Sequence, residues 1–251
     1  LFQNKMTDAA NYAEAVLANS SFSLASTAMD FSKNWVAGNS SPEIIFAYVN
    51  NSRASSPLNF TLYVNDTDGS WNYAPSDWCY NSLFADDNTL SRKGDVRLKA
   101  TFTSQDANRV IKYPNGTYQL AETSDYTCTP VVISRISEMY LIKAEALGKT
   151  NGAAALVEYM KKRYTTAPSE AAIKALSDKE YQTLILDERR REFYAEGMRW
   201  QDIKRTNRLE LLETLDGRTY LMYYPIPQDE IDMAGTVAYP QNPGYAGYTG
   251  N

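Results

Sequence analysis

Histidine is wholly absent from this chain of 251 residues. Its absence removes Ser-His-Asp and Cys-His nucleophile arrangements and most zinc sites that use histidine ligands. Cysteine is scarce, with only Cys79 and Cys128. These two can form one disulfide in an oxidising compartment or stand as unlinked thiols, and sequence alone leaves both open. No apolar run approaches the ~20 residues that span a bilayer as a helix. Net charge is small, −5, so nucleic acid and anionic membrane surfaces are not expected partners. The first residue is Leu1, and no signal peptide or lipid-attachment cysteine opens the chain, which reads as mature, trimmed or a fragment.

Tyrosine is the residue in excess, at 19 copies. Tyr and Trp stack on sugars and pack into wet interfaces, but they also fill cores. The densest aromatic stretch is YVNDTDGSWNYAPSDWCY, from Tyr63 to Tyr80. Its loop formers suit a surface excursion, where binding residues concentrate. The candidate ligand-binding residues are Trp71, Asn72, Tyr73, Asp77, Trp78 and Tyr80. The rings would meet the C–H faces of a sugar, and Asn72 and Asp77 its hydroxyls. The competing reading is core filling for a loop-rich subdomain. Within the same stretch, Asn65 to Gly69 has the alternating oxygen ligands of a calcium loop. An EF-hand glutamate is missing, since Ser76 stands at that position, so an Asp-rich turn is preferred and no metal ligand or cofactor is assigned.

Periodicity outlines the scaffold. Residues 6 to 18 form a short helix with Ala9, Ala10, Ala13, Val16 and Leu17 on one face, and its packing partners are expected upstream of Leu1. Glu43 to Val49 is a short strand or a buried helical turn. Asp95 to Phe102 and Tyr113 to Tyr118 read as extended, with Asn115-Gly116 a hairpin turn. Residues 134 to 147 are helical through Ile136, Met139, Tyr140, Ala144 and Leu147, and Gly148 is the stop. Ala153, Leu156, Val157, Met160 and Tyr164 make a second stripe, so the two helices form a hairpin of tetratricopeptide type.

Leu184 to Thr206, LILDERRREFYAEGMRWQDIKRT, reads as one charged amphipathic helix. Its start is set by the capping box of Ser177 and Glu180. Leu186, Phe193 and Trp200 share a face, with Gly197 beside them to admit a close neighbour. Asp187 with Arg191 and Glu196 with Arg199 are expected to pair on a solvated surface. The tail that follows is fixed by Pro225 and Pro227, turns at Pro243-Gly244 as type II, and is expected to bury Tyr220, Tyr223, Tyr224 and Tyr239. No two carboxylates can be matched across the fold, and their separation is what sets glycosidase chemistry, so no catalytic residue is assigned.

Several of these segments, in order, resemble the SusD/RagB family, the outer-membrane glycan-capture lipoproteins of the Bacteroidetes. They are the NSSFSL end of Ala9 to Leu24, Asp95-Val96-Arg97, Arg135 to Leu147, Ala155 to Tyr164, Leu184 to Thr206, YPIPQDEI from Tyr224, and QNPGY from Gln241. The resemblance implies a mostly α fold of tetratricopeptide-like helix pairs, a loop-rich irregular subdomain and an extended C-terminal tail. It implies one domain over 1–251 that lacks the usual N-terminal helical part. Residues 1–25 would end a helical repeat, 26–130 form the loop-rich ligand face, and 131–251 hold the helix pair, the charged helix and the tail. It further implies a cell-surface protein of the outer membrane that binds oligosaccharide or polysaccharide without catalysis. The glycan would pass to a SusC-like TonB-dependent transporter, and the membrane would be reached only through a lipid anchor absent from this chain. The alternative is a tetratricopeptide-type protein scaffold with no sugar ligand.

Overall fold

The computed structural model describes residues 1–36, 41–48, 74–102, 110–112, 130–212, 215–234 and 240–246. Two compact units divide the chain, Leu1–Met198 and Arg199–Asn251. The fold is mostly α-helical with a few short strands. No helix among the described residues is long and apolar enough to cross a membrane.

The core of the first unit is a helix hairpin. The segment α4 (Ile136–Arg163) consists of two helical arms joined at Gly148, whose φ of +66 and ψ of 175 are non-helical. Such a conformation is essentially reserved for glycine, which is why the expected stop at this residue works. The two arms approach closely just beyond it. A Cβ on Gly152 would lie 2.2 Å from the Ala144 carbonyl oxygen and 2.9 Å from the Tyr181 hydroxyl. The second arm buries Ala153, Leu156, Val157 and Met160 of the expected stripe, and Tyr164, buried too, already begins the following strand. Tyr181 ties the hairpin to the next helix by donating from its hydroxyl to Ala144 O at 2.8 Å.

The first helix, α1 (Met6–Leu17), buries Ala10 and Ala13. Its partner lies downstream within this chain: it packs along α4, where Lys143 pairs with Glu14. A short helix α2 (Ala28–Ser32) precedes β1 (Ile44–Tyr48), which resolves the strand-or-helix ambiguity in favour of strand. The strand β1 pairs antiparallel with β3 (Val131–Arg135), and β2 (Lys93–Asp95) with β4 (Tyr164–Thr166). Phe46, Tyr48, Val131 and Ile133 are exposed on the first pair.

Three further expectations are overturned between Asp95 and Thr206. Asp95 to Phe102 is mainly helix, not strand: α3 spans Val96–Thr101, because the Asp95 side chain accepts from Arg97 N at 2.9 Å and caps it. Leu184 to Thr206 is not one helix. After α5 (Glu170–Lys174), α6 (Asp178–Glu192) starts on the expected capping box and ends at Phe193, and α7 (Met198–Thr206) starts afresh. Ala195 at φ +62 and Gly197 at φ +79 make the break. Nothing stands within 4 Å of a Cβ on Gly197, so this glycine serves a turn and not a close neighbour. Third, the charged face of α6 is not solvated, because Glu188, Arg189, Arg191 and Glu192 are buried.

The second unit packs Ile203, Leu215 and Met222 into a small core with Trp200 against it. Its last helix is α8 (Gln228–Met233). Gly244 sits at φ +89, in keeping with the expected turn. Tyr220 is half-buried, whereas Tyr223 is 60% and Tyr224 87% exposed, against the expectation that these rings are covered. The tail is instead held by backbone carbonyls that receive bonds from its own side chains, which leaves both rings outside. Tyr239, Asn65 to Gly69, Tyr113 to Tyr118 and Cys128 lie outside the described residues.

Candidate ligand-binding site

The buried charges of α6 explain how the candidate site is held. Glu192 receives Arg163 Nε on Oε2 and Arg163 Nη2 on Oε1, both at 2.9 Å. Arg135 Nη1 reaches Oε1 at 2.5 Å, and the Tyr159 hydroxyl donates to Oε2 at 2.8 Å. One turn earlier, Glu188 accepts from Arg97 Nη2 at 3.0 Å, the Tyr164 hydroxyl at 2.6 Å and Arg191 Nη1 at 2.7 Å. Asp95 chelates the same Arg97 at 2.7 and 2.9 Å. Glu43, from beside β1, accepts from Arg163 Nη2 at 2.8 Å and Ala25 N at 2.7 Å. Lys112 donates to the carbonyls of Glu192 and Tyr194 and to Glu196 Oε1 at 2.5 Å. Glu196 thus pairs with Lys112 and Arg135, and Arg191 with Glu188.

Five cations (Arg97, Arg135, Arg163, Arg191, Lys112) thus meet five carboxylates (Asp95, Glu43, Glu188, Glu192, Glu196). Balanced charge and dense hydrogen bonding make such burial tolerable, although the buried Arg135 Nε has no partner among the described residues. Burial alone would raise the Glu192 carboxyl, but Arg163, Arg135 and Arg97 outweigh it and hold it well below the usual carboxylate range. Glu188 is lowered in the same way by Arg191 and Arg97. Burial pushes Lys112 down to about 8, against the pull of Glu196. Aromatic faces cover the cations: Arg163 lies 4.9 Å from the Phe31 ring centre and Lys112 4.3 Å from that of Trp35. Every carboxylate of this hub is engaged by a cation, so the hub holds its neighbours in place.

One such neighbour is the segment of the expected ligand residues. Asp77 and Trp78 lead into a π-helical turn, Cys79–Leu83, which docks Cys79 and Leu83 beside Phe84 and Phe102. Arg191 grips this turn by donating from Nε to Leu83 O at 2.5 Å. The next residue down α6, Arg190, lies over Trp78, 4.2 Å from the ring centre. Trp78 stays 38% exposed and Asp77 is at the surface. Tyr80 points the other way. Its ring packs 5.4 Å from Phe102, its buried hydroxyl has no hydrogen-bond partner among the described residues, and burial raises its pKa. The structure therefore brings Asp77 and Trp78 to one surface and turns Tyr80 inward. Trp71, Asn72 and Tyr73 lie outside the described residues. Cys79 is a buried free thiol, 3.4 Å from the Tyr194 hydroxyl.

Sequence reasoning missed Arg190. Its signal was present, since the run Glu188 to Glu192 carries one more arginine than its internal pairing needs, but nothing local pointed to an aromatic more than a hundred positions away. Arg191 also lines an open cleft of about 490 Å³ with Asp87, Arg92, Lys179 and Asp187 among apolar Leu90, Leu176 and Leu184. It lies between the Asp87 to Arg92 turn and the start of α6, and its lining suits hydrogen bonding to hydroxyl-rich ligands.

These features define a mostly α-helical protein, built on a helix hairpin and carrying an outward aromatic, Trp78, at the head of a short π-helical turn. The chain belongs to the SusD family, whose profile matches residues 84–218. That span takes in Asp95 to Arg97, the hairpin and α6, and it begins after Trp78 and Tyr80. Over 142 residues the chain is 30% identical to a SusD-like protein of Formosa agariphila, covering 51% of this chain and 27% of that one. Its fold is similar to that of a SusD superfamily protein from Bacteroides thetaiotaomicron, with TM-score 0.64, 23% identity, and 95% of this chain against 57% of that one. It is also similar to surface glycan-binding protein A from Bacteroides thetaiotaomicron, with TM-score 0.60, 20% identity, and 97% of this chain against 61% of that one. The chain thus spans 27% of the curated relative's length and 57 to 61% of these two structures.

Proposed function

We propose that this protein captures an oligosaccharide or polysaccharide at the cell surface of the outer membrane and hands it to a SusC-like TonB-dependent transporter, without catalysing a reaction. The observation that carries the reading is the exposed Trp78 seated on Arg190, in a chain of the SusD family. A tryptophan braced by the Arg190 guanidinium loses less freedom on stacking with a sugar face. Asp77 beside it offers acceptors to the hydroxyls. Trp71, Asn72 and Tyr73 are the further residues proposed for the same site, and Tyr80 is proposed to act from beneath it through the Phe102 packing.

The test is calorimetry against a glycan panel, with Trp78→Ala and the Trp71→Ala/Trp78→Ala double variant beside the wild type. Binding of one glycan class that weakens by about tenfold or more in the variants is the expected result. Equal binding by wild type and double variant sinks the assignment. Release of sugar fragments by the purified protein would contradict the absence of catalysis. A silent panel would leave the protein-scaffold reading, tested by co-purification with the transporter.

A further inference from the structure

The C-terminal unit holds a second cleft built from other residues. Two segments of its tail are stitched by side chains. Ile226 N donates to Gln241 Oε1 at 2.7 Å, and Gln241 Nε2 returns a bond to Ile226 O at 2.8 Å. Asn242 Nδ2 donates to Tyr224 O and the Tyr245 hydroxyl to Tyr223 O, each at 2.7 Å. Tyr245 meets Tyr220 edge-on at 5.1 Å, and the backbone at Gly244 lies so close that a Cβ would fall 2.3 Å from the Tyr220 ring. The backbone of Tyr223 is therefore fixed while its ring is 60% exposed.

That ring borders a cleft of about 320 Å³, lined also by Lys204, Asn207, Thr219, Tyr220 and Met222. The volume sits at the small end of ligand sites, enough for about one or two sugar rings. Tyr faces suit sugar C–H groups, and the Asn207 amide and Thr219 hydroxyl can each donate and accept. Among the described lining residues Lys204 is the one charged side chain, with Nζ 5.6 Å from the Tyr223 ring centre. A neutral sugar would leave this ammonium facing no counter-charge in the cleft, whereas a sugar carboxylate would form a charge-assisted bond with it.

We propose that this cleft is a subsite for a uronic-acid residue of a polysaccharide. The chemical class of the ligand rests on the glycan-capture reading, and the site itself rests on the tail geometry. The full chain is titrated by calorimetry with tetramers of galacturonic acid and of mannuronic acid, and with uncharged cellotetraose. Tyr223→Ala, Lys204→Gln and Trp78→Ala are run in parallel. Both substituted residues of the cleft are at the surface, and circular dichroism checks the fold. The expected result is uronate binding that Tyr223→Ala weakens about tenfold and that Lys204→Gln weakens similarly with loss of its salt dependence. Uronate binding indifferent to both cleft variants overturns the subsite, as does a wild type that binds neither uronate. Trp78-dependent binding of a panel glycan alongside either of those results would leave the capture reading standing.

Discussion

Arg163 and Glu192 form a two-pronged ion pair, Nε to Oε2 and Nη2 to Oε1 at 2.9 Å each, with both side chains at 0% exposure. The pair joins the last turn of the helix hairpin to the last turn of α6. Replacing Arg163 with methionine leaves a carboxylate buried with one fewer counter-charge, at a cost of about 3–5 kcal/mol. Urea unfolding followed by circular dichroism measures it. A loss below about 1 kcal/mol would show that Arg135 and Arg97 suffice on their own.

Acid should unfold the first unit through Glu192 and Glu188. Both have folded-state pKa values below the usual carboxylate value, so the unfolded chain takes up their protons first. Their contribution is complete above about pH 4.3 and is lost as pH falls below it. Melting temperature between pH 7 and pH 3 is the readout. A flat profile to pH 3 would contradict the depressed values.

Lys112 adds a slope of the same sign in a higher pH window. Its folded pKa of about 8 lies below the ~10.4 of a free lysine, so between these values the unfolded chain holds the extra proton. Stability should therefore rise with pH in that window, by up to about 1.4 kcal/mol per unit. The slope is read as the difference between wild type and Lys112→Met, and parallel pH profiles for the two proteins would reject it.

At Gly152, an alanine must displace the Ala144 carbonyl or the Tyr181 hydroxyl that bonds to it. The hairpin should loosen at a cost of about 1–3 kcal/mol. Gly148→Ala, where space is open but φ is positive, should cost a comparable 1–3 kcal/mol or so from backbone strain alone. Crystal structures of the two variants would separate them: the first moves an arm, the second only the turn.

Local signals were legible wherever the answer is local. Ser177 and Glu180 lie three apart and cap each other, so α6 starts where their spacing says. The stripe from Ala153 to Met160 depends on helical period alone and is buried as read, whereas Tyr164 is buried from a strand. The charge run was misread because its partners are remote: Arg163, Arg135 and Arg97 stand 29, 57 and 95 positions from Glu192. A rule based on i,i+4 neighbours sees only a solvated face. Val96, Leu98, Ala100 and Phe102 alternate like a strand, yet the Asp95 cap and the burial of Arg97 win. At the candidate site, clustered aromatics among loop formers marked Trp78 but could not tell its outward ring from the inward one of Tyr80.

The hub also sets a schedule for synthesis. Its charges come from positions 43, 95, 97, 112, 135, 163, 188, 191, 192 and 196, and Glu192 joins three of the arginines. As the chain emerges from its N-terminus, those arginines wait for a counter-charge that is made after all of them. The hairpin cannot reach its final packing until Glu192 has left the ribosome, so nascent chains shorter than this should stay open and depend on chaperones. Closure should then come in one cooperative step, slow in the manner of folds held by distant contacts.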